Sequence, residues 1–418
     1  MRKTNSSKII LLSTFLILYA STSYFCKNVI SESVNMLIYL FAVLLLSLFA
    51  KSSRQKISAV LIMLLLIIVE LLSSFLAHDE LKLTVYPIII FLFAYTYITH
   101  VELQEFATAF VNIMSFVALF SAFALLLYII LPSAFLVFPR IWNTSGNFAY
   151  NLFFAVIAPG YLIRAQGFFW EPGAFQTFVN IALSILILNQ KRKRWQLIAL
   201  WSALVLSFST TGYIVGLLNI MLFSLRDYNG EAKKYAKLLF SFIIIALALY
   251  LLYPIVPHTL YGQTFGFEKI EKFLEGPSSN TIDSASVRFD SFYYPFKLFL
   301  ANPLFGAGQR GLKGLDSIMG HGMVTCTPIN YFAMYGILYG LIVMICIYKF
   351  AKTVTPYRLT SIILFAILII SMMSEQYVNY LIIDIFIMYG AASIKLAKPI
   401  SYERQKMQES FYEVIGNK

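Results

Sequence analysis

The sequence predicts an all-α integral membrane protein of about twelve transmembrane helices, and three observations carry that expectation. Hydrophobic residues make up 59% of the chain and charged residues only 12%, about half the charge of a soluble domain, with a mean hydropathy of +0.76. Apolar runs of 16 to 24 residues recur from one end to the other, each long enough, or nearly so, to cross a hydrocarbon core of about 30 Å as a helix. Basic residues gather in alternate gaps between those runs, the pattern expected where Lys- and Arg-rich loops stay cytoplasmic.

In order, the spans fall near 8–25, 33–50, 57–76, 84–99, 107–131, 172–189, 196–209, 211–225, 238–254, 326–348, 359–374 and 378–394. The first follows Arg2, Lys3 and Lys8 and lacks a small-residue cleavage pattern, so it is expected to stay as an uncleaved span. A polar break at 207–212 predicts two short helices within 195–225, because a single span would carry the basic cluster at 226–237 across the membrane. Residues 148–163 are apolar but contain Pro159 and Gly160, which predicts an interfacial or re-entrant segment covered by protein. On this count 22 of the 32 basic residues face one side, and 6 of the other 10 lie in one long loop. Both termini are therefore expected in the cytoplasm. Residues 1–418 form a single polytopic domain, with external loops at about 132–171 and 255–325, the large one joining the ninth and tenth spans. The +12 net charge sits in short clusters between spans rather than in one stripe, which argues for orientation in a lipid bilayer and against a nucleic-acid partner.

The polar chemistry concentrates in the two external loops. The first ends in Arg164 and then Gly167, Phe168, Phe169, Trp170, Glu171, Pro172 and Gly173. A carboxylate there either caps the helix that follows or, beside Arg164 and the aromatic faces, contributes to a sugar site. The second loop carries a charged stretch at 268–275, suited to a solvated helix with i,i+4 pairs, then Arg288 and a Pro303 to Arg310 glycine turn. That turn is either a lid on the membrane surface or an amide cradle for a diphosphate, with Arg288 and Arg310 alongside. His321 precedes the tenth span and is one of four histidines; a lone histidine is more often structural, and catalysis is the alternative. Glu70 and Asp384 fall inside spans, where an ionisable group has to face protein or water, and are expected to line an external cavity. Cys26, Cys326 and Cys346 lack metal-ligand or CxxC spacing and count as unpaired apolar residues. No metal site, cofactor fingerprint or soluble-enzyme motif is present in the sequence.

Arg164 with the 167–173 segment, the 209–212 break, Arg288, the 303–308 turn and Asn330-Tyr331 ahead of Gly336 together resemble the Wzy-type O-antigen polymerase and O-antigen ligase superfamily. The likeness spans roughly 145–345 and rests on the order of these motifs rather than on any one of them. The resemblance implies a metal-independent, inverting glycosyltransferase at the periplasmic face of a bacterial inner membrane, acting in O-antigen or capsular polysaccharide synthesis without a cofactor. Its substrate would be an undecaprenyl-diphosphate-linked oligosaccharide, and a flippase and a chain-length regulator would be its partners. By resemblance Arg288 holds the diphosphate with help from Arg164, and Glu171 orients or deprotonates the acceptor; Trp170, among the aromatics, and Arg310, beside the glycine turn, are substrate-binding candidates from the residues themselves. His321 is the least secure carry-over, since the family often places a His directly before the Asn, whereas Ile329 precedes Asn330 here. The alternatives are a ligase that transfers finished polymer to lipid A core, and a flippase or other transporter.

Overall fold

The computed structural model describes residues 2–50, 52, 56–143, 146–159, 163–189, 193–225, 284–319 and 324–394. The expected ninth span, the 268–275 helix, part of the large loop and His321 lie outside the described residues. The helices are α1 (Arg2–Thr22), α2 (Tyr24–Asn28), α3 (Glu32–Phe49), α4 (Ile57–Leu76), α5 (Leu81–His100), α6 (Leu103–Ile130), α7 (Pro172–Leu188), α8 (Arg194–Leu206) and α9 (Thr210–Leu225), followed by α10 (Ser284–Ala301), α11 (Gly308–Met319), α12 (Thr327–Val354), α13 (Arg358–Met372) and α14 (Leu381–Ala392). Five of them, α3, α4, α5, α6 and α12, are long and apolar enough to cross a membrane, and α1, α7, α8, α9, α13 and α14 contain shorter apolar stretches.

The surface is inside out relative to a soluble protein. On α4, Leu61, Leu64, Leu65, Ile68, Leu72 and Phe75 are exposed while Met63, Leu66, Glu70 and Ser73 are buried, and comparable exposed apolar faces run along α3 and α6. So much exposed apolar surface suits lipid as the solvent. By contrast, α7 is buried along nearly its whole length and forms the centre of the bundle. Its polar face is satisfied within the helix and by its neighbours: Asn180 Nδ2 donates to Gln176 Oε1 of the same helix at 3.0 Å and to the Gly212 carbonyl of α9 at 3.2 Å. Below them Ser184 Oγ donates to Asn219 Oδ1 at 2.7 Å. Such interhelical polar pairs hold helices together where no hydrophobic difference from lipid exists.

One segment is not helical. Arg140–Trp142 (β1), Phe148–Asn151 (β2) and Val156–Ile157 (β3) form a small antiparallel sheet in the order β1-β2-β3, so the apolar segment expected at 148–163 to be interfacial or re-entrant contains two short strands. Alternation explains it: Ile141 and Ala149 are partners facing inward, while Trp142 and Phe148 pair on the other face with ring centroids 5.3 Å apart. Gly146, at φ +77°, closes the hairpin.

The break within 195–225 is as expected, with α8 and α9 joined by residues 207–209. Hydrogen bonds tie the chain's turns into two opposite ends. At one end Tyr24 N–H donates to the Phe168 carbonyl, Ala165 N–H to the Leu206 carbonyl, and Thr327 Oγ1 to the Glu375 carbonyl. At the other, Lys56 Nζ reaches the Ile98 carbonyl and Tyr389 the Val101 carbonyl.

Candidate functional site

Glu171 occupies the N-cap position of α7, yet its side chain makes no capping hydrogen bond. Pro172, the next residue, has no N–H to offer. The carboxylate is therefore not consumed by its helix, and the capping explanation of Glu171 gives way. It turns instead toward Glu375, which lies in the short connection between α13 and α14. Gly173 sits between them: a Cβ there would fall 2.8 Å from Oε1 of Glu171 and 2.8 Å from Oε1 of Glu375. With no side chain of its own, Gly173 leaves room for both carboxyls at this point, and a Cβ there would push their oxygens aside.

Both carboxyls line a cavity of about 280 Å³ together with Arg164, Arg288, Ser209, Thr210 and Thr325. The structure thus brings Arg164, Glu171 and Arg288 to one place from three separate elements. Arg164 is fixed by the backbone bond from Ala165 to Leu206, at 2.8 Å. Arg288, in the first turns of α10, donates from Nη1 to Thr211 Oγ1 at 2.8 Å, so the first turn of α9, just after the polar break, seats this guanidinium. The carboxyl side is held from below by Thr327, whose Oγ1 donates to the Glu375 carbonyl at 2.6 Å and accepts from Tyr377 N–H at 2.6 Å. Asn330 adds bonds to the Thr325 carbonyl, at 2.8 Å, and to Gln376. The N-termini of α7 and α9 open on the same cavity, which adds their positive dipole ends to the two guanidinium groups.

Electrostatics follow from this crowding. Burial raises the Glu375 carboxyl well above the usual range, and the adjacent, hydrogen-bonded Glu171 raises it further, against the pull of Lys27 and Arg288. Two carboxyls this close favour one shared proton over two adjacent charges. Burial lowers the Arg164 guanidinium, and the like charge of Arg288 adds to that, against Glu171. Two guanidinium groups close enough to repel each other form a site for a dianion. Lys27 is solvent-facing but flanked by protein; burial lowers its ammonium while Glu171 and Glu375 raise it.

Other expected residues fall elsewhere. Trp170 is not in the cavity wall: it is buried behind it, packed on Tyr377 and Tyr380, with Lys27 Nζ 4.5 Å from its ring centre. Arg310 is exposed and lies outside the cavity, so the structure does not place it with Arg288. In the glycine turn and the residues that follow it, several amides are already committed to protein acceptors. Ala307 N–H donates to the Ala333 carbonyl at 2.8 Å, and the Gln309 and Arg310 N–H groups both bond the Asp79 carboxylate, at 2.9 and 2.8 Å. Nor do Glu70 and Asp384 face an open cavity: they are 0% and 2% exposed, and Tyr335 donates to Glu70 at 3.3 Å. Sequence reasoning missed Glu375 and treated Lys27 only as a charge to be counted. The available signal was position, since both occupy short gaps between spans at the cavity's end of the bundle. Among the described residues no cluster of His, Cys, Asp and Glu suited to a metal occurs. No family model matches the chain, and no curated protein matches it.

Proposed function

We propose that the chain is a membrane glycosyltransferase that joins repeat units of an O-antigen or capsular polysaccharide carried on undecaprenyl diphosphate. The observation that carries this reading is the meeting of two guanidinium groups and a proton-sharing carboxyl pair in one cavity at one end of an apolar bundle. Arg288 and Arg164, with the two helix N-termini, suit the diphosphate of the donor. As the acceptor hydroxyl oxygen bonds to the anomeric carbon, the bond from that carbon to the diphosphate breaks and its electron pair leaves with the phosphate. The guanidinium groups stabilise that charge, and the hydroxyl proton passes to Glu171, whose partner Glu375 already holds one.

The basic residues Lys56, Lys193, Arg194, Lys349, Lys352 and Arg358 flank helix ends opposite the cavity. By the tendency of such loops to remain inside, the cavity faces away from the cytoplasm, the termini lie within it, and the membrane is the bacterial inner membrane. A flippase would then supply the substrate and a chain-length regulator would limit the product.

A transporter is the second reading, favoured by one feature. Helix α12 is broken at Gly336 near the buried Glu70, and broken helices beside buried charges mark transport sites. The break, however, is filled by the 303–307 turn. Deleting the gene tests all three possibilities on a glycan ladder. A polymerase leaves single-repeat lipopolysaccharide, a ligase leaves lipid-linked polymer with bare core, and a flippase leaves lipid-linked units trapped in the cytoplasmic leaflet. An unchanged ladder with no trapped units overturns the polymerase proposal.

A further inference from the structure

A second chamber of about 400 Å³ opens at the same end of the bundle, between α2, the first turns of α3 and α5, and α11. The wall between the two spaces is thin. Glu375 lines the first and Gln376, the next residue, lines the second. Lys27 also lines the second chamber, yet its ammonium is attracted to both Glu171 and Glu375 and lies over the Trp170 ring. The carboxyl pair is thus within reach of both sides.

The lining of the second chamber has a definite chemistry. Carboxamides of Asn35, Gln309, Gln376 and Asn379 alternate with the rings of Tyr86 and Tyr380. Asn35 Oδ1 is buried with no hydrogen-bond partner among the described residues, although a buried acceptor left unpaired is costly. Carboxamides pair with sugar hydroxyls and tyrosine rings cover the apolar faces of sugars, so the lining suits a glycan better than a lipid tail. Lys82 and Lys313 stand on the rim with Glu32, to which Lys82 is paired at 2.6 Å, leaving the chamber net positive.

Building on the polymerase reading, we propose that this chamber receives the acceptor glycan and that Lys27 positions its attacking hydroxyl against the Glu171 and Glu375 pair from the side opposite the donor diphosphate. The step is the transfer already described, with no additional reactant. Two chambers sharing a catalytic wall keep two lipid-linked substrates apart until the sugar ends meet.

The test uses the full-length protein in nanodiscs with lipid-linked oligosaccharide extracted from cells lacking this gene, and measures chain extension beside binding of undecaprenyl diphosphate. Asn35→Trp fills the chamber, and Lys313→Glu reverses an exposed rim charge without touching the core. The expectation for Asn35→Trp is an extension rate reduced by about tenfold or more with undecaprenyl diphosphate bound as in the wild type. For Lys313→Glu it is a higher oligosaccharide concentration at half-maximal rate. Extension within about twofold of wild type in both variants, or loss of undecaprenyl diphosphate binding in step with extension, overturns the assignment. A wild-type protein that neither binds undecaprenyl diphosphate nor extends the oligosaccharide refutes the polymerase reading itself, and the chamber's role with it.

Discussion

Arg288 carries the sharpest prediction because its task depends on shape as well as charge. Its guanidinium reaches the cavity while one nitrogen stays bonded to Thr211, which a lysine ammonium on a flexible stem cannot reproduce. Arg288→Lys is expected to lower polymer extension by about 2–4 kcal/mol of transition-state stabilisation, on the order of 30- to 1000-fold, at unchanged protein level. Near-normal ladders from this variant remove Arg288 from the site. Glu375 gives a test in pH. Its folded ionisation is raised, so over the interval above the ordinary carboxylate range the folded chain holds a proton that the unfolded chain has released. Stability then falls as pH rises through that interval. Melting in detergent from about pH 5 to about pH 8 should show this decline in the wild type, and Glu375→Gln should flatten it. Equal slopes count against the shared proton.

At the scale of elements, the meeting of α12 with the 303–308 turn decides stability. Gly336 has φ +81° and ψ −177°, and Gly306 has φ +70°. A Cβ on Gly306 would overlap the backbone of Met334 and Tyr335, and one on Gly336 the backbone of Leu304. The exposed backbone of the broken helix is repaired there by Ile337 N–H donating to the Pro303 carbonyl and by Ser73 Oγ donating to the Met334 carbonyl, as a break at membrane depth requires. Gly306→Ala should therefore cost at least about 1–3 kcal/mol from backbone strain alone, read as a lower melting temperature. Gly314, within α11 and with nothing within 4 Å of an added Cβ, is the contrast: Gly314→Ala should gain about 0.5–1 kcal/mol. The same region shows where the sequence was legible. Long apolar runs gave the helices because lipid demands them, and Arg164, Glu171 and Arg288 stood out as charges at span boundaries. The sheet at 140–157 was missed because short strands rich in aromatics resemble a buried apolar run. The sequence left the glycine turn open between a lid and an anion cradle because the partners of its amides, Asp79 and Ala333, are remote in sequence. Glu375 was missed for the same reason, since its meaning depends on Gly173 about 200 residues earlier.

For the whole molecule, the asymmetry between its two ends is the feature on which the functional reading depends. An exposed apolar belt on α3, α4 and α6 places the bundle in lipid but leaves it free to insert either way up. Charge breaks that symmetry: Lys349, Lys352 and Arg358 flank one end, whereas both chambers open at the other. A lipid-linked oligosaccharide polymerised outside the cytoplasm can reach this cavity only if the basic end faces in. The native thiols of Cys26, Cys326 and Cys346 are buried, so cysteines added at exposed positions report with little background. In spheroplasts a membrane-impermeant maleimide should label Lys313→Cys directly and Arg358→Cys only after lysis. The reverse pattern would put Arg288 and the carboxyl pair in the cytoplasm, where a substrate already flipped across the membrane could not meet them, and the polymerase reading would fall with the orientation.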